Sequence, residues 1–184
     1  MTVLAEGNLQ MALPDSAKGR KFDDQTVHGL SHCMKAVDFI VELEDQLLFV
    51  EFKDPENPEA APERSTEFIK QFRGGELDSN LKTKYRDSWL YEWAEDRVKK
   101  PIIYLVLIGA STLSAAELLA RTDALKRQIP MVGPDDRPWK KPFLAGCAVM
   151  NIAAWNKALP QFPVTRLGLT AIPQPRLLPK RAGA

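Results

Sequence analysis

The sequence contains few cysteines and no long hydrophobic run. Cys33 and Cys147 are the two cysteines among 184 residues, which excludes a fold held together by disulfide bonds and favours a reducing compartment. The longest apolar run, residues 102–110, covers nine residues, whereas a helix that crosses a membrane needs about twenty. The N-terminus shows no basic stretch followed by an apolar block, so we expect no signal peptide. We therefore expect a cytoplasmic protein without membrane contact.

Acidic residues are absent from the C-terminal quarter of the chain. Residues 137–184 carry eight basic and no acidic side chains, while residues 1–136 carry 17 basic and 24 acidic ones, so the net charge of +1 hides an asymmetry. Residues 161–184 are rich in proline and basic side chains, which predicts an extended tail behind a single α/β domain at residues 1–160. A basic tail beside an acid-rich body indicates contact with nucleic acid or a protein partner. A solvated tail without a partner is the other open interpretation.

Strand-like and helix-like segments alternate along the chain. Two runs rich in Val, Ile, Leu and Phe flank Glu44-Asp45 and predict a β-hairpin. Further along, the apolar spacing predicts helices at 65–72, 77–99 and 114–129, and strands at 102–108 and 143–150. This order predicts an α/β fold with a central mixed β-sheet flanked by helices.

The predicted hairpin has one wholly apolar face and one mixed face. With Glu44-Asp45 as a two-residue turn, Asp38 lies opposite Glu51 and Ile40 lies opposite Phe49. The apolar face belongs to the core and consists of Val37, Phe39, Val41, Leu43, Leu48, Val50 and Phe52. The mixed face carries Asp38, Ile40, Glu42, Phe49, Glu51 and Lys53. Two apolar side chains among the charges indicate that the mixed face is itself partly buried.

Asp38 and Glu51 repel each other in this register, because directly opposed residues have Cβ atoms about 5 Å apart. A divalent cation relieves the repulsion, and carboxylate oxygens suit Mg²⁺ or Mn²⁺. Lys53 lies two residues further along on the same face. Two acids and a lysine around a metal suit phosphodiester hydrolysis, in which the metal activates water and the lysine stabilises developing negative charge. The alternative is a solvated strand face with an ion pair across the strands.

Val37-Asp38, followed after twelve residues by Glu51-Phe52-Lys53, resembles the signature of the PD-(D/E)XK nuclease superfamily. The resemblance covers residues 20–110 and implies a restriction-endonuclease-like fold. It implies that Asp38 and Glu51 are metal ligands, that the backbone carbonyl of Phe52 is another, and that Lys53 is the catalytic lysine. Val37 stands where the family name has proline, a substitution that the superfamily commonly tolerates.

Many members of that superfamily supply one more acid from the helix before the strand meander. The candidates in this sequence are Glu6, Asp23 and Asp24. We choose Asp24 as the additional metal ligand.

The resemblance implies a metal-dependent nuclease, an endonuclease or exonuclease that hydrolyses phosphodiester bonds with Mg²⁺ or Mn²⁺. It favours DNA over RNA as the nucleic-acid partner, and a homodimer is compatible with it. The alternative is a non-catalytic module on the same fold, which binds a protein partner or nucleic acid through its basic C-terminal region. A third interpretation is a structural α/β protein whose charged strand is only surface.

The second predicted helix supplies weaker candidates. Trp89 and Trp93 belong to its apolar row, which places them in the core rather than on a surface that stacks nucleic-acid bases. Lys82, Lys84 and Arg86 form a basic cluster on the same helix. For this cluster we expect a solvated helix face rather than contact with phosphate.

Overall fold

A five-stranded mixed sheet forms the centre of the fold. The computed structural model describes residues 2–134 and 137–167. The sheet contains, in spatial order, the strands β3 (Lys18–Lys21), β4 (Phe39–Glu42), β5 (Leu47–Lys53), β6 (Ile102–Ile108) and β7 (Gly146–Asn151). The first three form an antiparallel meander, and β6 and β7 continue the sheet parallel to β5. The predicted α/β class with a central mixed sheet is confirmed.

A second, antiparallel sheet contains, in spatial order, β1 (Thr2–Glu6), β2 (Leu9–Leu13) and β8 (Val164–Arg166). Strand β8 lies within residues 161–184, which the sequence assigned to the tail, so the folded part of the chain extends further than predicted. The three residues of β8 directly follow Pro163 and are too few to give a periodic signal, so β8 is defined instead by its pairing with β2, where Val164 lies opposite Met11. Residues 168–184 of the predicted tail lie outside the described residues.

Three longer helices cover one face of the central sheet, and the smaller sheet with one short helix covers the other. The helices are α1 (Gln25–His28), α2 (Pro62–Gly74), α3 (Glu76–Ala94), α4 (Ala115–Gln128) and α5 (Ile152–Ala158). Side chains of α3 and α4 share one hydrophobic core with the sheet, and the smaller sheet shares a second core with it and with α5. No helix in the part of the chain that the structure describes is both long and apolar enough to cross a membrane.

Alternation along β4 and β5 directs side chains into both cores. Ile40 and Phe49 lie in the core under α3 and α4, whereas Phe39 and Leu48 lie in the core under the smaller sheet. Val37 was expected beside Phe39 but joins the first core, because it precedes β4 and the alternation does not extend to it. Both faces of the hairpin are covered, so charged side chains on the first face lie beneath a helix rather than in water.

Trp155 closes the second core and offers a test of this packing. Its ring is fully buried, lies edge-on to Phe52, and its indole N–H donates to the Phe162 carbonyl at 2.8 Å. We expect Trp155→Ala to lower the free energy of unfolding by about 3–5 kcal/mol, because it leaves a large cavity. Trp93→Ala is the matched control, since it removes a ring that is 59% exposed, and it should cost far less. Urea denaturation followed by circular dichroism measures both, and equal losses would contradict this description of the core.

Candidate functional site

The β4–β5 hairpin has the predicted register. Ile40 pairs with Phe49, and the same register, continued by one residue before β4, sets Asp38 opposite Glu51. The strands remain close at this point, because the Phe52 N–H donates to Asp38 Oδ2 at 2.6 Å. The register inferred from the two-residue turn at Glu44-Asp45 is therefore confirmed.

Both carboxylates of this pair are buried, and a lysine lies beside them. Asp38 is 4% exposed and Glu51 is fully buried. Lys53, at the end of β5, places its Nζ 2.6 Å from Glu51 Oε1. The structure thus brings Asp38, Glu51 and Lys53 together, while their catalytic and metal-binding roles stay predictions.

A second ammonium group, from Lys84 on α3, enters the gap between the two acids. Its Nζ lies 2.8 Å and 3.0 Å from the two carboxylate oxygens of Glu51. The same atom lies 3.4 Å from Asp38 Oδ1 and 3.4 Å from Asp23 Oδ2. The side chain of Lys84 is only 12% exposed. The expectation that this residue belongs to a solvated helix face was wrong.

The burial of neighbouring residues on α3 explains why Lys84 does not face solvent. Leu81 and Ser88 are buried, and they lie three residues before and four residues after Lys84, so all three share one side of the helix. The predicted row continued instead through Trp89 to Trp93. That row does not end in the core as expected, since Trp93 is exposed and stacks on the half-buried Trp89.

Burial and opposing charges act against each other in this cluster. Burial and the negative charge of Glu51 raise the pKa of Asp38 to about 7, and the charge of Lys84 and the Phe52 N–H oppose that rise only in part. Burial alone would lower the pKa of Lys84, but the charges of Glu51 and Asp38 raise it above its usual value. Lys84 therefore stays protonated, and it supplies one positive charge beside the two acids without a metal.

The upstream acid that reaches the cluster is Asp23 rather than Asp24. Asp24 is the N-cap of α1, where its Oδ1 accepts hydrogen bonds from the Thr26 N–H at 2.8 Å and the Thr26 hydroxyl at 2.7 Å. These bonds hold the pKa of Asp24 below its usual value. The third candidate, Glu6, lies 2.9 Å from Lys21. The side chains of these two adjacent residues therefore point in different directions. Asp24 is held at the N-terminus of α1 as its cap, and Asp23 is left to contact Lys84.

The ligand chemistry of the cluster fits a divalent cation under one condition. Glu51 Oε1 is a buried atom without an aligned hydrogen bond, although Lys53 Nζ and Lys84 Nζ lie within 2.6 and 2.8 Å. The Phe52 carbonyl leaves β5 on the same side as the N–H that holds Asp38, since both groups of a strand residue point to one side. Within residues 2–134 and 137–167, however, no group of three or more His, Cys, Asp or Glu side chains is arranged to hold a metal ion. These oxygens suit Mg²⁺ or Mn²⁺ provided that Lys84 leaves the gap.

The smaller sheet fixes the chain immediately after Lys53. Arg166, at the end of β8, places Nη1 2.6 Å from Asp54 Oδ2, and its Nη2 donates to the Gly109 carbonyl at 2.9 Å. A Cβ at Gly109 would lie 2.7 Å from Asp54 Oδ1, so a larger residue there would displace the Asp54 side chain. A cleft of about 460 Å³ opens at the same edge of the central sheet and is lined in part by Gly109, Ser111, Asn151 and Arg166.

Comparison of the chain with known proteins found no matching family model, no matching curated protein and no matching solved structure. The interpretation of the site therefore depends on its own geometry.

The raised pKa of Asp38 predicts a pH dependence of stability in metal-free buffer. Between the ordinary pKa of 3.8 and the folded value of about 7, the folded protein holds a proton at Asp38 that the unfolded chain has lost. The free energy of unfolding should therefore fall as the pH rises from about 4 to 7, by up to about 1.4 kcal/mol per pH unit from this group. Asp38→Asn should remove that contribution, as measured by urea denaturation across this range.

Glu42 on the same strand provides the control for this titration. Hydrogen bonding and charge from Lys100 lower the pKa of Glu42, so Glu42→Gln should change the pH profile in the opposite sense. Parallel profiles for the wild type and Asp38→Asn would contradict the shift assigned to Asp38.

Proposed function

We propose that this protein is a metal-dependent nuclease that hydrolyses phosphodiester bonds in DNA. The observation that carries the proposal is the buried pair of carboxylates, Asp38 and Glu51, on adjacent strands with Lys53 beside them. Burying two neighbouring acids is costly unless a cation compensates for them. A loss of folding stability from buried, neighbouring acids is typical of a functional site.

The order of the elements supports a restriction-endonuclease-like fold for this site. Strands β3, β4 and β5 form a meander, helices α2 and α3 follow, and β6 then lies parallel to β5. This is the order that the sequence resemblance implies after its first helix. The site lies where β4 begins and β5 ends, so both strands contribute to it.

Each residue of the site has a defined task in the proposed reaction. Asp38 and Glu51 would hold Mg²⁺ or Mn²⁺, which when bound supplies Lewis-acid activation of the phosphate and of a water molecule. The Phe52 N–H fixes the Asp38 carboxylate through Oδ2 and leaves Oδ1 facing the gap between the acids. Lys53 stabilises the negative charge that develops on the phosphate.

One observation favours a second candidate function, a non-catalytic module on the same fold. The Lys84 ammonium contacts both acids and supplies a counter-charge to them without a metal. Such a module would bind a protein partner or nucleic acid through the basic C-terminal region. Thermal melting with millimolar Mg²⁺ or Mn²⁺ separates the candidates, because an ion that binds only the folded state raises the melting temperature. An unchanged melting temperature would favour the module.

The nuclease proposal predicts that isosteric changes in the site abolish cleavage and preserve the fold. Asp38→Asn, Glu51→Gln and Lys53→Met should each reduce cleavage of DNA with Mg²⁺ or Mn²⁺ by about 100-fold or more, because each removes a charge that the reaction needs. Gel assays measure cleavage, and circular dichroism verifies folding.

The exposed residues Glu44 and Lys18 provide charge-matched controls on the same hairpin and its neighbouring strand. Glu44→Gln and Lys18→Met should cleave as the wild type does. A wild-type protein that cuts neither DNA nor RNA with either metal would overturn the proposal.

A further inference from the structure

We infer that Lys84 is a tethered counter-cation that holds the place of the metal until nucleic acid arrives. Metal loading is then an exchange, in which the Lys84 ammonium moves outward and a divalent cation takes its position between Asp38 and Glu51. The inference rests on the proposed nuclease function and adds to it a way of regulating the same site.

The position of Lys84 Nζ is the basis of this inference. It lies 2.8 and 3.0 Å from the oxygens of Glu51 and 3.4 Å from Asp38 Oδ1. A metal shared by these two carboxylates must lie within about 2.0–2.6 Å of oxygens from each, which places it in the same gap. Two cations cannot share that space, because their separation would be shorter than an ordinary ion-pair distance and their charges repel.

The surroundings of Lys84 allow its side chain to leave while its backbone stays. Helix α3 is held at this point by Tyr85, which is fully buried, and by Ser88, whose hydroxyl accepts the Val37 N–H at 2.9 Å. The lysine stem is unbranched and flexible. Asp23 lies 3.4 Å from Nζ, and its side chain is 45% exposed. The ammonium can therefore turn towards Asp23 and solvent without disturbing the core.

Nucleic acid gives the displaced ammonium a new partner. Once a metal occupies the gap, Lys84 loses its contacts with Glu51 and Asp38 and needs another anion. A phosphodiester at the site supplies one, since lysine binds phosphate as a point charge. Bound nucleic acid should therefore raise the affinity for the metal, and by thermodynamic linkage bound metal should raise the affinity for nucleic acid by the same factor.

Metal affinity in the absence of nucleic acid is the first test. Titration calorimetry with Mn²⁺ should show binding to Lys84→Met that is about 5–150-fold tighter than binding to the wild type, the usual range of coupling between sites. Lys82→Met is the matched control, because it removes the same charge from the same helix at a residue that lines a different cleft, together with Gln128 and Trp139. It should bind Mn²⁺ as the wild type does. Equal or weaker binding by Lys84→Met overturns the inference.

The second test measures how DNA changes metal affinity. Its first part uses only the wild-type protein, so its result does not depend on whether a variant folds. The affinity of the wild type for Ca²⁺, used so that substrate stays intact, should rise in the presence of a DNA duplex. A methylphosphonate duplex, which lacks the backbone charge, should leave it unchanged. In Lys84→Met the effect of DNA should shrink, and the same effect in both proteins overturns the inference.

Asp23→Asn tests the outward position of Lys84. As a single substitution it should weaken Mn²⁺ binding, because the displaced Lys84 ammonium loses its nearest alternative partner. In the Lys84→Met background it should have no effect. Weakening in both backgrounds would make Asp23 a metal ligand and would overturn the proposed exchange towards it.

These measurements also distinguish the inference from the proposed function. Equal Mn²⁺ binding by the wild type and Lys84→Met, together with DNA cleavage by the wild type, overturns the exchange and leaves the nuclease standing. If neither protein binds Mn²⁺ or Mg²⁺, both proposals fall.

Discussion

Two acids placed side by side in a covered strand pair must be neutralised, and the arrangement around the site follows from this requirement. Asp38 and Glu51 cannot retreat into water, because α3 lies over their face of the hairpin. Lys84 enters from the helix, Lys53 from the strand, and the Phe52 N–H from the backbone. A buried charge is tolerated only when it is paired and hydrogen-bonded, so the acids determine which side of α3 faces the sheet.

Polar pairs act together with the buried apolar residues Leu81 and Tyr85 to determine how α3 packs on the sheet. Five of its buried side chains are polar or ionisable if Lys84 is counted with Asp78, Asp87, Ser88 and Glu92. Each has a partner outside the helix. The pairs are Lys84 with Glu51, Asp78 with Arg121, Asp87 with the Lys35 N–H, Ser88 with the Val37 N–H, and Glu92 with Arg20. A helix held in this way has little freedom to rotate, because a turn about its axis would leave several buried polar groups unpaired at once.

The sequence predicted the sheet better than the helix for a physical reason. A two-residue turn sets the register of a hairpin, and strand side chains alternate with a period of two, so Asp38 and Glu51 could be paired and placed on one face before the structure was known. The orientation of α3 depends on partners distant in the chain, and alternation says nothing about them, so Lys84 was assigned to solvent. The choice of Asp24 over Asp23 was wrong for a different reason, since Asp24 forms a local helix cap that the prediction did not consider. Strand β8 is too short to carry a pattern and is defined by its neighbour β2.

Charge balance is the reason why, under the proposed function, we expect the site to respond to a polyanion. Asp23, Asp38 and Glu51 bring three potential negative charges, against the ammonium groups of Lys53 and Lys84. The raised pKa of Asp38 shows that these two cations do not fully stabilise the ionised acid. A divalent cation in the gap would favour ionisation of Asp38 but leave the cluster with an excess of positive charge. A phosphodiester removes that excess, so the fully charged form of the site is balanced only when metal and nucleic acid are present together.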